Sequence, residues 1–242
     1  MTATTESYDS PLKSIFYVIA GVFVFSLHDV IAKWISGEYP VHEIIFIRSC
    51  FAIIPILIIA RLEGGLHLLR TSHFGAHVIR SFLFFGAYIC FYLSLPVRPL
   101  AETASLFYTG PMFITILSVA FLGEKIELRR WIAVLVGFFG VIMMLKPGSK
   151  MIDPAAFLAL LSAFLYAIVS IITRRLGKTE NGVSLAFYTT VMYMIYSPIF
   201  NIALDHVNVT QKSHPSVAFL FRDWKLPSQG DLLLFIMIGI FA

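Results

Sequence analysis

"IFYVIAGVFVFSLHDVIAKWI", residues 15–35, is an apolar run in which only His28, Asp29 and Lys33 carry readily ionisable side chains. Wound as an α-helix it reaches about 30 Å, the thickness of a bilayer's hydrocarbon core. Similar runs follow near residues 43–60, 77–95, 100–122, 131–146, 154–173 and 184–204. Of the 242 residues, 58% are hydrophobic and 13% charged, against roughly 25% charged in soluble domains. Open strands and loops cannot face lipid, and the runs lack the alternation of barrel strands. The expected fold is an all-α polytopic membrane protein with seven spans. An eighth segment, "DLLLFIMIGIFA" from Asp231, covers only about 18 Å as helix, a partial eighth span; either the chain is a fragment, apparently truncated, or its true terminus is an unfinished helix.

Residues 1–14 read as a cytoplasmic N-terminal tail. That orientation places Lys13, Arg61, Arg70, Arg80, Lys125, Arg129, Arg130, Arg174, Arg175 and Lys178 on one side, the excess that marks the cytoplasmic face. The expected location is a plasma membrane of the bacterial inner-membrane type. The first run is too long for a signal peptide and lacks a cleavage pattern. Residues 205–230 form one long polar connection on the outer side, with a glycosylation pattern at Asn208 that matters only in a secretory-pathway host.

Cys50 and Cys90 sit in apolar runs at no metal-ligand spacing. His73 and His77 stand four apart, with His67 nearby, but no cysteine or carboxylate cluster accompanies them. No metal and no other cofactor is therefore expected. The net charge of +4 is spread between spans rather than gathered in a patch, so no nucleic-acid partner is expected. No phosphate-binding glycine loop is present, which argues against direct use of ATP.

Sliding the chain on itself by 141 residues pairs "FVFSLHDVIAKWI" with "FLYAIVSIITRRL" without a gap. Phe23 meets Phe164, Ile31 meets Ile172 and Lys33 meets Arg174; farther on, Phe46 meets Phe187 and Ile54 meets Ile195. Identity is low, and apolar composition alone generates part of such a match. A repeat unit over residues 15–148 would hold five spans, and residues 149–242 would begin a second copy. An odd number of spans inserts that copy upside down, an arrangement found in transporters.

Asp29 and Lys33 are four apart and are expected to pair on one helix face, offsetting an insertion cost of about 2.5–3.5 kcal/mol for each lone charge. Adjacent residues of a helix diverge by about 100°, so His28 and Asp29 are not expected to pair. Arg48 lies at comparable depth in the second span, while Glu43 and Glu102 open spans two and four on the same side. These charges either hold helices together or line an outward vestibule for a charged substrate, and the vestibule is the favoured reading. Arg48 suits a carboxylate or phosphate because its planar fork binds either bidentately.

Glu102 is equally explained as an acid favoured at a helix N-terminus. Ser105, Tyr108 and Thr109 follow it at near-helical spacing and can line the same cavity, and Tyr92 or Tyr166 can supply aromatic walls, although plain packing is the favoured reading of each. The substrate-binding set is thus Asp29, Lys33, Arg48, Glu102, Ser105 and Tyr108. Pro55, Pro111 and Pro198 each remove a backbone hydrogen bond within a span and are expected hinges. Ala133, Gly137 and Gly140 read as small residues for close helix packing, and Glu124 as a loop anchor for Lys125, Arg129 or Arg130.

Residues 99–148, "PLAETASLFYTGPMFITILSVAFLGEKIELRRWIAVLVGFFGVIMMLKPG", closely resemble the EamA-type repeat of the drug/metabolite transporter superfamily. The resemblance rests on Pro111, on Leu122, Gly123 and Glu124, and on Gly137, Gly140 and Val141, with Lys33 and Arg48 also fitting. It covers roughly residues 15–204, and "HDVIAKW", "IRS" and "LAETAS" are most similar to the branch assigned to riboflavin or S-adenosylmethionine uptake. It implies a ten-helix carrier of two inverted five-helix repeats, with cytoplasmic termini and a central cavity. Here the counterparts of spans eight to ten are missing beyond the stub.

The function implied is secondary transport of a small polar metabolite by alternating access, in the lipid bilayer, with a homodimer left open. Two alternatives stand beside it. One is an intramembrane enzyme using His28, Asp29 and Glu102 as acid and base, which lacks a positioned nucleophile or metal; no enzymatic activity is expected. The other is a fragment that is non-functional or depends on a partner half.

Overall fold

The computed structural model describes residues 11–145, 154–206 and 215–241, with side chains from residue 15 onward. Asn208 and most of the expected N-terminal tail lie outside these residues. The elements are α1 (Pro11–Ile35), α2 (Val41–Glu63), a 3₁₀ turn (Leu66–Leu69), α3 (Phe74–Ser94), α4 (Leu100–Phe107) and α5 (Gly110–Leu122). They continue with α6 (Leu128–Leu145), α7 (Pro154–Leu176), α8 (Gly182–Asp205), α9 (Pro215–Leu220) and α10 (Gln229–Ile240). Seven stretches are long and apolar enough to cross a membrane, with α4 and α5 together making the fourth. The chain is an all-α polytopic membrane protein, and α10 is the short apolar helix that the sequence leads one to expect.

The three prolines behave differently. α2 and α8 run through Pro55 and Pro198 as single helices. The fourth span instead breaks at Tyr108 and Thr109, and Pro111 stands in the first turn of α5. A proline there costs little, because the first N–H groups of a helix have no intrahelical acceptor.

Tight packing is concentrated on α7. Ala155, Ala159, Ala163 and Ala167 recur every four residues and are all fully buried, a small-residue stripe that lets α3, α4 and α5 approach. Ser162 Oγ donates to the Ala87 carbonyl at 2.7 Å across this seam. The small residues of α6 do less. Gly137 receives the side chain of Met112, but Gly140 has no neighbouring atom within 4 Å of where a Cβ would stand. Leu135, Val136 and Phe139 of α6, like Phe16, Tyr17 and Val18 of α1, remain exposed, as lipid-facing side chains are.

α2 packs on α8, α3 packs on both α7 and α8, and α10 packs on both α1 and α2. Exchanging α1, α2 and α3 for α7, α8 and α10 maps these pairs onto one another. At the 141-residue offset, moreover, Ile35 falls on Leu176 and Val41 on Gly182, the matching ends and starts of helices.

One end of the bundle gathers the α1–α2 turn, the α3–α4 turn and residues 215–231; the opposite end gathers the α2–α3 connection and the α5–α6 and α7–α8 turns. The segment before α10 is fastened to the first of these ends. α9 packs on α2 and α3, Arg222 donates to the carbonyls of Ser36 and Gly37 at 3.1 and 2.7 Å, and Lys225 bonds Glu38 at 3.0 Å.

Gly239 of α10 lies close against the α2 backbone. A Cβ there would stand 2.6 Å from Phe51 Cβ and 2.7 Å from the Arg48 carbonyl oxygen. Gly239→Val is expected to destabilise the fold by about 1–3 kcal/mol through overpacking, read as a lower thermal midpoint in detergent. Gly140→Ala, by contrast, should leave the midpoint unchanged or raise it.

Candidate functional site

Arg48 lies two turns into α2, about 10 Å from its start, and is only 3% exposed. An arginine so placed keeps its charge, so neighbours must replace water around the guanidinium. Tyr88 of α3 lies beneath it, with the guanidinium carbon 4.3 Å from the ring centroid, and Tyr193 of α8 follows at 5.6 Å. Tyr88 and Tyr92, one turn apart on α3, have near-parallel rings 5.9 Å apart. Ring faces attract a desolvated cation by about 0.5–2 kcal/mol each.

The fourth side comes from α1. Arg48 Nη1 faces His28 Nε2 at 3.4 Å, and His28 Nδ1 faces Asp29 Oδ1 at 3.3 Å. A guanidinium can only donate, so Nε2 must be the accepting nitrogen and the ring proton sits on Nδ1, aimed at Asp29. His28 is 1% exposed and stacks on Phe25. The adjacent pair His28 and Asp29 therefore does meet, contrary to the divergence expected of neighbouring helix positions: Nδ1 is the ring nitrogen nearest the backbone, and a short Asp side chain reaches it.

Three buried donors at this site have no partner among the described residues: Arg48 Nε, Tyr92 Oη and Tyr193 Oη. Polar atoms orphaned in an apolar interior cost roughly 1–3 kcal/mol each, and a ligand with acceptor atoms would satisfy them.

The remaining expected residues lie elsewhere. Lys33 does not pair with Asp29; its Nζ donates to the carbonyls of Leu95 and Arg98 at 3.0 and 2.6 Å, at the C-terminal end of α3. A cation is favoured there because the last carbonyls of a helix are negative and unsatisfied. Glu102 pairs with Arg98 at 2.8 Å and leaves 49% of its side chain exposed. Ser105 bonds its own helix at the Ala101 carbonyl, and Tyr108 is 64% exposed.

Glu43 is buried under the Lys225 amide, where it lines a cavity of about 420 Å³ with Phe46, Cys50, Trp224 and Leu232. Tyr92 stacks on Tyr88 beside Arg48, whereas Tyr166 packs one layer away on Phe84 and Phe107. Glu124 pairs with Arg174 at 3.3 Å instead of a neighbour in its own loop. Tyr88 and Tyr193 went unread in the sequence; the four-residue spacing of Tyr88 and Tyr92 was the available signal. Among the described residues, no group of three His, Cys, Asp or Glu side chains is placed to hold a metal ion.

Seven helical stretches able to cross a membrane thus surround a buried Arg48 caged by side chains of three neighbouring helices. The chain belongs to the EamA-like transporter family, which matches residues 12–146. It is 28% identical to an S-adenosylmethionine uptake transporter of Rickettsia prowazekii (strain Madrid E), over 96% of this chain and 76% of that protein. It is 27% identical to a riboflavin transporter of Vibrio cholerae, over 95% of this chain and 71% of that one. A pseudopaline exporter of Pseudomonas aeruginosa is 28% identical, over 73% of this chain and 62% of that one. A solved crystal structure has the same fold, with a TM-score of 0.61 at 19% identity, over 92% of this chain and 73% of that one.

The geometry separates pinning from binding. Lys33→Met is expected to cost about 1.5–3 kcal/mol, the worth of a hydrogen bond to a charged group, read as a lower thermal midpoint. Ligand affinity measured on the folded fraction should stay unchanged.

Proposed function

We propose that this carrier moves a small polar metabolite bearing both a planar ring system and a carboxylate, by alternating access, and that Arg48 is its anchor. The single observation that carries the reading is the set of three partnerless donors around a fully enclosed guanidinium. A carboxylate is the natural partner of the Arg48 fork, and the tyrosine faces suit a planar heterocycle. Asp29, linked to the cage through His28 and 16% exposed, offers a carboxylate for a cationic group of the same substrate.

S-adenosylmethionine carries all three features, and four relatives are named for its uptake. Riboflavin is the second reading, favoured by the ring stack but lacking a carboxylate for Arg48 and a counter-charge for Asp29. In this reading residues 15–148 are the first five-helix repeat, residues 149–242 begin the second, the N-terminus is cytoplasmic, and the two repeats rock about the α4–α5 break. Glu102, Ser105 and Tyr108, on the exposed side of α4 and its end, are proposed to face the pathway rather than the cage. The reading involves no enzymatic step.

Uptake of radiolabelled S-adenosylmethionine and of riboflavin into proteoliposomes tests this. S-adenosylmethionine should accumulate in wild type, fall about tenfold or more in Arg48→Ala, and show a raised KM in Asp29→Asn. Unchanged S-adenosylmethionine uptake in both variants would overturn the site. Riboflavin uptake indifferent to Asp29→Asn, with no S-adenosylmethionine uptake, would select the second reading.

A further inference from the structure

Arg48 is not the only guanidinium enclosed in the bundle. Arg80 of α3 is 4% exposed. Its Nη2 donates to the Leu185 carbonyl of α8 at 2.6 Å and to the Thr189 hydroxyl, and its Nη1 donates to Thr173 Oγ1 of α7 at 3.4 Å. All three acceptors are neutral, and no ion pair among the described residues includes Arg80. Its buried Nε has no partner among those residues. A neutral donor would tie α3 to α7 and α8 without the cost of an unbalanced charge. Charges kept inside a membrane bundle at such cost mark the routes of solutes and ions.

The two arginines lie at matching depths from opposite ends of the bundle. α3 starts at the end that holds the α7–α8 turn, and Arg80 stands about 9 Å along it. α2 starts at the other end, and Arg48 stands about 10 Å along it. Tyr193, about 16 Å along α8 from the α7–α8 turn, falls between them. Its ring centroid is 5.6 Å from the Arg48 guanidinium carbon, and its hydroxyl interacts electrostatically with both guanidiniums. That hydroxyl has no hydrogen-bond partner among the described residues. One turn beyond Arg80, toward the α7–α8 turn, His77 is fully buried with neither ring nitrogen hydrogen-bonded among them. Buried, unsatisfied polar atoms therefore continue from the Arg48 cage along the seam where α3 packs on α8.

We propose that Arg80 is a second station for the carboxylate of the transported solute, so that this anionic group passes from one guanidinium to the other by way of the Tyr193 hydroxyl. A carboxylate leaving Arg48 toward the α7–α8 end would otherwise enter an apolar interior with no counter-charge, which is costly. Arg80 supplies that charge at the far side of Tyr193. Its free Nε, together with an Nη now held by a neutral acceptor, offers a fork that a carboxylate grips bidentately. Charge-assisted hydrogen bonds are roughly twice as strong as neutral ones, so an arriving carboxylate outcompetes a threonine hydroxyl for the guanidinium.

The second station rests on the carrier reading above, in which S-adenosylmethionine brings the carboxylate. Its initial uptake into proteoliposomes is compared with that of its decarboxylated analogue, which keeps the sulfonium and the adenine ring. Arg80→Gln should lower the ratio of S-adenosylmethionine uptake to analogue uptake about tenfold. A residue that only ties helices together would slow both solutes alike and leave the ratio unchanged. Arg80→Lys keeps a cation without the planar fork and should lower the ratio by about threefold; it decides the matter if Arg80→Gln does not fold. A ratio equal to that of wild type in the folded variants overturns the second station, and with Arg48→Ala still defective it leaves the anchor at Arg48 standing. Wild-type protein that takes up no S-adenosylmethionine sinks the carrier reading for that solute and the second station together.

Discussion

A guanidinium in a hydrocarbon-spanning bundle must be surrounded, and the centre of this protein is organised by that requirement. Arg48 cannot shed its proton, so its cost is met by geometry: ring faces from α3 and α8, and a neutral imidazole from α1. These partners belong to three helices besides its own. The Arg48 backbone carbonyl also lies against Gly239 of α10, so the position that carries the charge lies at the contact with a fourth. α1 is otherwise loosely held, with most of its length exposed and its larger helix contacts made with α10 and α4. The His28 bridge and the Lys33 cap on α3 are the polar ties that give it a defined rotation about its axis.

Hydrophobic run length is a local property, which is why the spans are legible in the sequence to within a few residues at their ends. The partners of charged side chains are not local. Asp29 and Lys33 have the right spacing for a pair, but the end of α3 lies beside α1, and its free carbonyls outbid a carboxylate four residues away. Glu124 shows the same thing, reaching Arg174 on α7 and not the bases of its own loop. The alanine stripe of α7 went unread because alanine is unremarkable in any span, whereas the glycines of α6 drew notice and only Gly137 has a close neighbour. Arg48 stood out because a lone charge in a span demands an explanation from its own position; its tyrosines did not, since they come from α3 and α8.

Packing symmetry and chemical asymmetry serve different ends in this chain. The swap of α1, α2 and α3 for α7, α8 and α10 preserves the principal packing pairs, and the 141-residue offset aligns the ends of α1 and α2 with those of α7 and α8. The side chains do not follow. At the equivalent positions of the second set, Val169 stands for His28, Ser170 for Asp29 and Thr189 for Arg48. The bundle does hold a second buried guanidinium, Arg80 of α3, 4% exposed. At the position offset from Arg48 stands a hydroxyl, Thr189, which accepts from Arg80, and Thr173 and the Leu185 carbonyl complete its acceptors. Backbone packing thus repeats, while of the two offset positions it is Arg48 around which the aromatic and imidazole cage is built.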